Sequence, residues 1–264
     1  MQLTCILKYL LLFLFIIFFN LKIYSAESSI NYDIPIKKEE FNIGKNKYNS
    51  ADLIRNCYQY PDFILIEEID KEQKGGALIG LASINKGTNF LATCKQNYAK
   101  FKLKMTAEGY FGGKVANYII NIGDEGFGSE GRFEIYKINK NKLTHIFGGI
   151  RHYEENFEFL KNSPHQLGVR YWKSLKADFE CSVHEKKCLD KIKASNKILT
   201  NLNFSNCLQF ISKRAAKLKN ENYDLSYLNT TLGNQFFIYI EVPDISNPRQ
   251  FKILNSNVIC ETRP

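Results

Sequence analysis

The stretch 118–150, YIINIGDEGFGSEGRFEIYKINKNKLTHIFGGI, reads as strand, glycine-rich acidic loop, strand, polar turn and strand. Val115 to Ile122 alternates and is rich in β-branched residues, the pattern of a half-buried strand. Gly123 to Gly131 then places four glycines around Asp124, Glu125 and Glu130. Glycine at that density permits backbone angles closed to other residues, so the loop can turn sharply or approach a ligand. Phe133, Ile135 and Ile138 face one side after a small register adjustment. Asn139 to Lys142 makes a hairpin connection, and Leu143 to Phe147 returns antiparallel until Gly148-Gly149 ends the strand.

Outward toward the N-terminus, Asp62 to Ile69 and Ala77 to Ile84 read as partner strands across a Gly75-Gly76 turn. Asn89 to Cys94 fits a short strand or the start of a helix, since a short apolar run does not decide its own type. Ser50 can cap a short helix over Ala51 to Tyr58, which Pro61 would stop. Residues 27–49 are polar and lysine-rich without sustained periodicity, and read as a linker or arm. Before them, Lys8 and the 11-residue apolar run Tyr9–Phe19 lead to Tyr24-Ser25-Ala26. That length suits the core of an export signal, while a spanning helix needs about 20 apolar residues. Residues 1–26 are therefore read as a signal peptide, with an uncleaved anchor as the other possibility, and no membrane span is expected in the mature chain.

Toward the C-terminus, Gln166 to Trp172 and Ala177 to Val183 look like strands. In Asn206 to Lys219, Leu208, Ile211, Ala215 and Leu218 recur at helical spacing. Gln235 to Val242, QFFIYIEV, is the strongest strand signal of the chain, and Phe251 to Cys260 returns after Pro243 and Pro248. The globular region is 50–264, and the change of character near residue 175 permits a β-rich unit 50–175 and an α+β unit 176–264. The expected class is α+β: mainly antiparallel sheet, helices in the C-terminal third, and disulfide cross-links.

Removing the signal leaves 238 residues, enough for a sizeable core, and lowers the net charge from +9 to +7. Lysine, asparagine and isoleucine are abundant throughout, and the seven arginines are scattered. Nucleic-acid recognition is not expected, because bidentate phosphate contacts favour arginine and no interleaved aromatic platform is present. Six cysteines remain after Cys5, an even number suited to three disulfides in an oxidising compartment. The pairing that respects local segments is Cys57–Cys94, Cys181–Cys188 and Cys207–Cys260. Close CxxC pairs are absent, which argues against a zinc reading.

Asp124, Glu125 and Glu130 could offer oxygen ligands, but the alternating Asp/Asn spacing of calcium loops is missing. A phosphate cradle fails because the glycines lead into a strand and carry acids. His152, followed by Glu154 and Glu155, has carboxylates at hand for proton transfer. No GxSxG or HExxH accompanies it, and no nucleophile stands out. Trp172 beside Tyr171 reads as core or rim packing rather than a sugar platform. Lys213 and Lys217 lie on one face of the expected helix and make a positive surface. No metal or cofactor is expected. The sequence points to an exported, non-enzymatic protein, periplasmic or secreted, that binds a protein or anionic glycan through Asp124, Glu125, Glu130, His152, Lys213 and Lys217. The alternatives are a small secreted hydrolase using the 124–130 acids with His152, and a structural envelope protein.

Overall fold

The computed structural model describes residues 28–72, 77–107, 109–124, 130–139, 142–152, 155, 157–163, 166–175, 194, 201–221 and 234–262. Two antiparallel sheets organise them. The smaller is a five-stranded meander of β2 (Lys37–Lys45), β3 (Asp52–Gln59), β4 (Phe63–Asp70), β5 (Ala77–Ser83) and β6 (Leu103–Ala107). The larger, ten-stranded sheet holds β1 (Ser28–Ile30), β7 (Tyr110–Val115), β8 (Tyr118–Asp124), β9 (Glu130–Asn139) and β10 (Lys142–His152). It continues through β11 (Glu158–Ser163), β12 (Gln166–Ser174), β13 (Asn234–Val242), β14 (Lys252–Ile253) and β15 (Ile259–Thr262).

Period-two alternation explains how the sheets stack. In β4 Phe63 and Leu65 join Ile79, Leu81 and Ile119 of β8 in one apolar layer between the sheets. Ile64 and Ile66 point the other way and pack with Cys57, Cys94 and Phe101. A strand buried on both faces reads as a continuous apolar run, which is why FILI does not alternate. In the larger sheet Ile119 faces the smaller one, while Ile120, Phe133, Ile135, Val169 and Ile240 build the main core on the opposite side. Leu202, Phe204 and Cys207 close that core from outside.

The chain crosses between the sheets at Gly109, whose φ is +121°. A Cβ there would lie 2.5 Å from the Ile122 carbonyl oxygen, so only glycine fits this approach. Residues 31–36 form a second bridge: Asp33 N–H donates to Lys114 O at 2.8 Å and Ile36 N–H to Gln59 O at 2.7 Å. Gly113, at φ +150°, leaves room for the Tyr32 ring of that strap.

The expected class needs correction. Antiparallel strand is the dominant structure of the described residues, so the fold is β-rich and not α+β with helices gathered in the C-terminal third. A helix does form at Ser205–Asn220, but the same third also supplies β13, which pairs with β12, β14 and β15. A short α-helix also forms at Phe90–Cys94, with Asn89 accepting from Ala92 N–H at its start. The helix expected over Ala51–Tyr58 is instead β3, hydrogen-bonded to β2 on one side and β4 on the other. Residues read as an arm contribute β1 and β2. β10 continues through Gly148-Gly149 to His152. Across residue 175, β12 pairs with β13, so the larger sheet runs through the position where two units were considered. The expected strand at Ala177–Val183 and the signal segment lie outside the described residues.

Candidate functional site

One end of the sandwich gathers four turns and strand ends that are far apart in sequence. The β3–β4 turn closes with Tyr60 N–H donating to Phe63 O at 2.8 Å, leaving Asp62 at its tip. Ile84 N–H donates to Asp62 O at 3.2 Å, which brings the end of β5 and Ser83 alongside. In the β7–β8 turn Ala116 takes a positive φ of 48° and Asn117 O accepts from Ile138 N–H at 2.7 Å. That bond sets the end of β9, with Asn139, beside Asn117. Between them opens a cleft of about 410 Å³. Phe63, Leu81, Leu103 and Ile138 form its apolar floor, and the exposed Asp62, Ser83, Asn117 and Asn139 form its rim. Among the described residues, none of the four rim side chains has a hydrogen-bond partner.

Around the cleft the end is built with charge and apolar surface in close company. Lys114, only 6% exposed, ion-pairs Asp33 at 2.6 Å, with its ammonium 5.1 Å from the Tyr60 ring centre and 5.6 Å from that of Phe63. Burial, with Asp33 nearby, pushes the Tyr60 phenol up to about 12. The strap just outside carries Ile34 at 88% and Ile36 at 66% exposure, the most exposed aliphatic side chains among the described residues. Exposed apolar side chains beside a cleft are a feature of recognition surfaces.

Deeper between the sheets, Glu67 is 3% exposed and reaches from β4 to β7. Its Oε1 accepts the Phe111 N–H at 2.6 Å, and its Oε2 accepts from Asn56 Nδ2 at 3.1 Å and Tyr58 OH at 3.4 Å. β7 bulges between Phe111 and Gly113, and the carboxylate takes up the amide freed there. Burial and Glu67 together push the Tyr58 phenol up. Asn121, on the neighbouring β8, is fully buried with neither end of its amide bonded.

The residues expected to form a site are dispersed. His152 lies in register with Glu130 on neighbouring strands, so the hairpin does bring those two positions together. The imidazole, however, is 2% exposed, with Nε2 2.6 Å from Glu261 Oε1 and the ring edge-on to Phe237. Asp124 ends β8 opposite Gly131. The side chains of Asp124 and Glu130, and Glu125 entirely, lie outside the described residues. Lys213 and Lys217 are exposed on the helix Ser205–Asn220, and Lys217 has only a 3.9 Å pairing with Glu221. Trp172 stacks at 33° on Tyr239, 5.3 Å between ring centres, while Tyr171 is in the core. Beside them Arg170 grips Glu241 Oε2 through Nε at 2.9 Å and Nη2 at 2.7 Å. Among the described residues no His/Cys/Asp/Glu cluster could hold a metal ion, and no helix is long and apolar enough to cross a membrane.

Of the expected cross-links, Cys207–Cys260 is a disulfide with its Cα atoms 5.3 Å apart. Cys57 and Cys94 are buried thiols that hydrogen-bond each other, and this contact with burial pushes the Cys57 thiol up. Arg55 holds Cys94 in place by donating from Nη1 to the carbonyls of Cys94 at 2.8 Å and Gln96 at 2.9 Å while pairing with Glu68. Cys181 and Cys188 lie outside the described residues.

No protein-family model, curated protein or solved structure matches this chain. The cleft was missed in the sequence because its polar residues come singly from separate turns, where Asp, Asn and Ser are ordinary. Glu67 did leave a signal: it occupies the inward position after Phe63 and Leu65, where an apolar residue continues the pattern.

Proposed function

We propose that this is an exported, disulfide-stabilised binding protein that captures its ligand at the strap end of the sandwich. The cleft carries the reading: two turns and two strand ends converge on an apolar floor, and among the described residues the rim donors and acceptors have no partner. A concave site with a few convergent polar groups is the usual form of a ligand pocket. The burial of His152 against Phe237 and Glu261 favours binding over the hydrolase alternative, because a general base has to reach solvent-borne substrate. The partner is a protein or a glycan that also bears anionic groups, for which Lys213 and Lys217 supply an exposed positive face without acids in the first helical turn.

The electrostatic part is tested by retention on a sulfated-polysaccharide column. Reversing both lysines, K213E with K217E, should move elution to lower salt, since each lost ionic contact reduces the salt dependence. Elution at unchanged salt would remove the helix from the recognition surface. Catalytic turnover of ester, amide or glycoside substrates that disappears in an Asp62→Ala variant would replace the binding reading with an enzymatic one.

A further inference from the structure

Resting on the strap-end reading above, we infer that the cleft takes a neutral sugar unit, an uncharged pyranose or disaccharide segment of a glycan. Its size decides first. About 410 Å³ lies at the small end of the range for ligand pockets, roughly 300–1,000 Å³, and suits one or two rings rather than a peptide segment. The rim chemistry decides next. Asp62 offers a carboxylate, Asn117 and Asn139 each offer an amide with both donor and acceptor, and Ser83 offers a hydroxyl. This set suits hydroxyl groups, each of which donates and accepts at once. Among the described residues no cation lines the cleft, and Asp62 would repel a carboxylate or sulfate placed there.

The floor completes the match. Phe63, 5% exposed and seated in the core beneath, lends the floor apolar surface on which the C–H groups of a pyranose can rest. Leu81 and Ile138 extend an apolar surface beside it. A purely apolar ligand would leave the carboxylate and two amides without partners as it displaced water, which is costly. A ligand with one apolar face and a ring of hydroxyls satisfies both. Charged units of the same glycan would remain outside, where lysines can meet them.

The test is a ¹H–¹⁵N titration of the mature, oxidised protein with a panel of probes. These are the methyl pyranosides of glucose, galactose and mannose, N-acetylglucosamine, glucuronic acid and cyclohexylmethanol. The inference expects at least one neutral sugar to shift the amides of Asp62, Phe63, Ser83, Asn117 and Asn139 saturably, with glucuronic acid binding at least fivefold more weakly. Asn117→Ala and Asn139→Ala, both at exposed positions that spare the fold, should each weaken the binding roughly fivefold, the loss of one ordinary hydrogen bond. Cleft shifts with cyclohexylmethanol but with no sugar would overturn the saccharide assignment and leave the strap end as the recognition site. Glucuronic acid binding as tightly as the neutral sugars would overturn the neutrality argument. Sugar shifts confined to Trp172 and Tyr239 would overturn the assignment of the sugar to the cleft, and an unperturbed cleft with every probe would overturn both readings.

Discussion

Replacing Glu67 with alanine should cost about 3 kcal/mol of folding stability, and replacing it with glutamine only about 1 kcal/mol. The carboxylate accepts three hydrogen bonds, of which those from Phe111 N–H at 2.6 Å and Asn56 Nδ2 at 3.1 Å are well formed. The Tyr58 hydroxyl, at 3.4 Å, adds little. A hydrogen bond to a charged group is worth roughly 1.5–3 kcal/mol, and an orphaned buried donor costs roughly 1–3 kcal/mol. Relief from burying a charge offsets part of this sum, which brings the alanine figure down to about 3 kcal/mol. Glutamine keeps an acceptor for the Phe111 amide, and Asn56 can turn its own oxygen toward the new NH₂ group. Urea unfolding of the protein measures the difference. With a slope near 3 kcal/mol/M, about the value for a chain of this size, the alanine variant should unfold about 1 M earlier. A shift below about 0.3 M, or equal shifts for the two variants, would refute the bridge between the sheets. Asn56→Ala should add almost nothing in the Glu67→Ala background, because its effect passes through the same carboxylate.

The disulfide Cys207–Cys260 spans a separation of 53 residues, so replacing both cysteines with alanine should cost about 4 kcal/mol. Thermal unfolding without reductant should then fall by on the order of 10 °C, and a change within 2 °C would contradict the assignment. Burial alone would raise the Glu241 carboxyl, but its bonds to Arg170 and Lys252 hold it below the ordinary carboxylate range. Its contribution is therefore complete above the unfolded value near 4 and is lost as pH falls through the lower folded value. Arg170→Met should destabilise clearly at pH 7 and far less at pH 2.5, and equal losses at both would show that packing rather than charge is responsible. Asn121 has no partner for either end of its amide, so Asn121→Leu should hold or raise stability by about 1 kcal/mol. A loss above 1 kcal/mol in urea unfolding would show that bound water satisfies the asparagine.

The sequence is most legible where one residue type repeats against one environment. QFFIYIEV became β13, and the hairpin 118–150 became β8, β9 and β10, because alternation there matches a sheet with two different faces. It misled where the environment is uniform or set from far away. β3 is the central case: Ser50 resembles a helix cap, yet it takes a φ of +61° in a turn, and the chain beyond it is strand. Two neighbours claim its backbone groups, and that pairing outweighs weak helix propensity. β2 is the opposite case. Nearly all its residues are exposed, so it carries no apolar alternation and reads as an arm although its ladder to β3 runs from Lys37 to Lys45 with one irregularity at Ile43. Charged side chains along such an edge also discourage pairing with another chain. The β-rich class was obscured by the helix Ser205–Asn220, whose periodicity is strong but whose contacts are with the edge of the larger sheet.

The two ends of the β8–β9 hairpin now carry different meanings. The acidic loop follows Asp124, whereas the cleft lies at Asn117 and Asn139, about 20 Å away along seven strand residues. His152 belongs to the acidic end, by its register with Glu130, and there its ring is closed off by Phe237 and Glu261. Side chains in the strand bodies are committed to the fold: Glu67 to a bulge, Arg55 to a short helix, Glu241 to two cations. Polar groups become available only where the ladders stop and the chain turns. At the strap end two such turns and two strand ends meet, with Lys114 and Asp33 anchoring the strap beside them. A double sheet that spends most of its interior polar groups on itself, and leaves those of one rim without partners among the described residues, is what supports the proposed role in recognition.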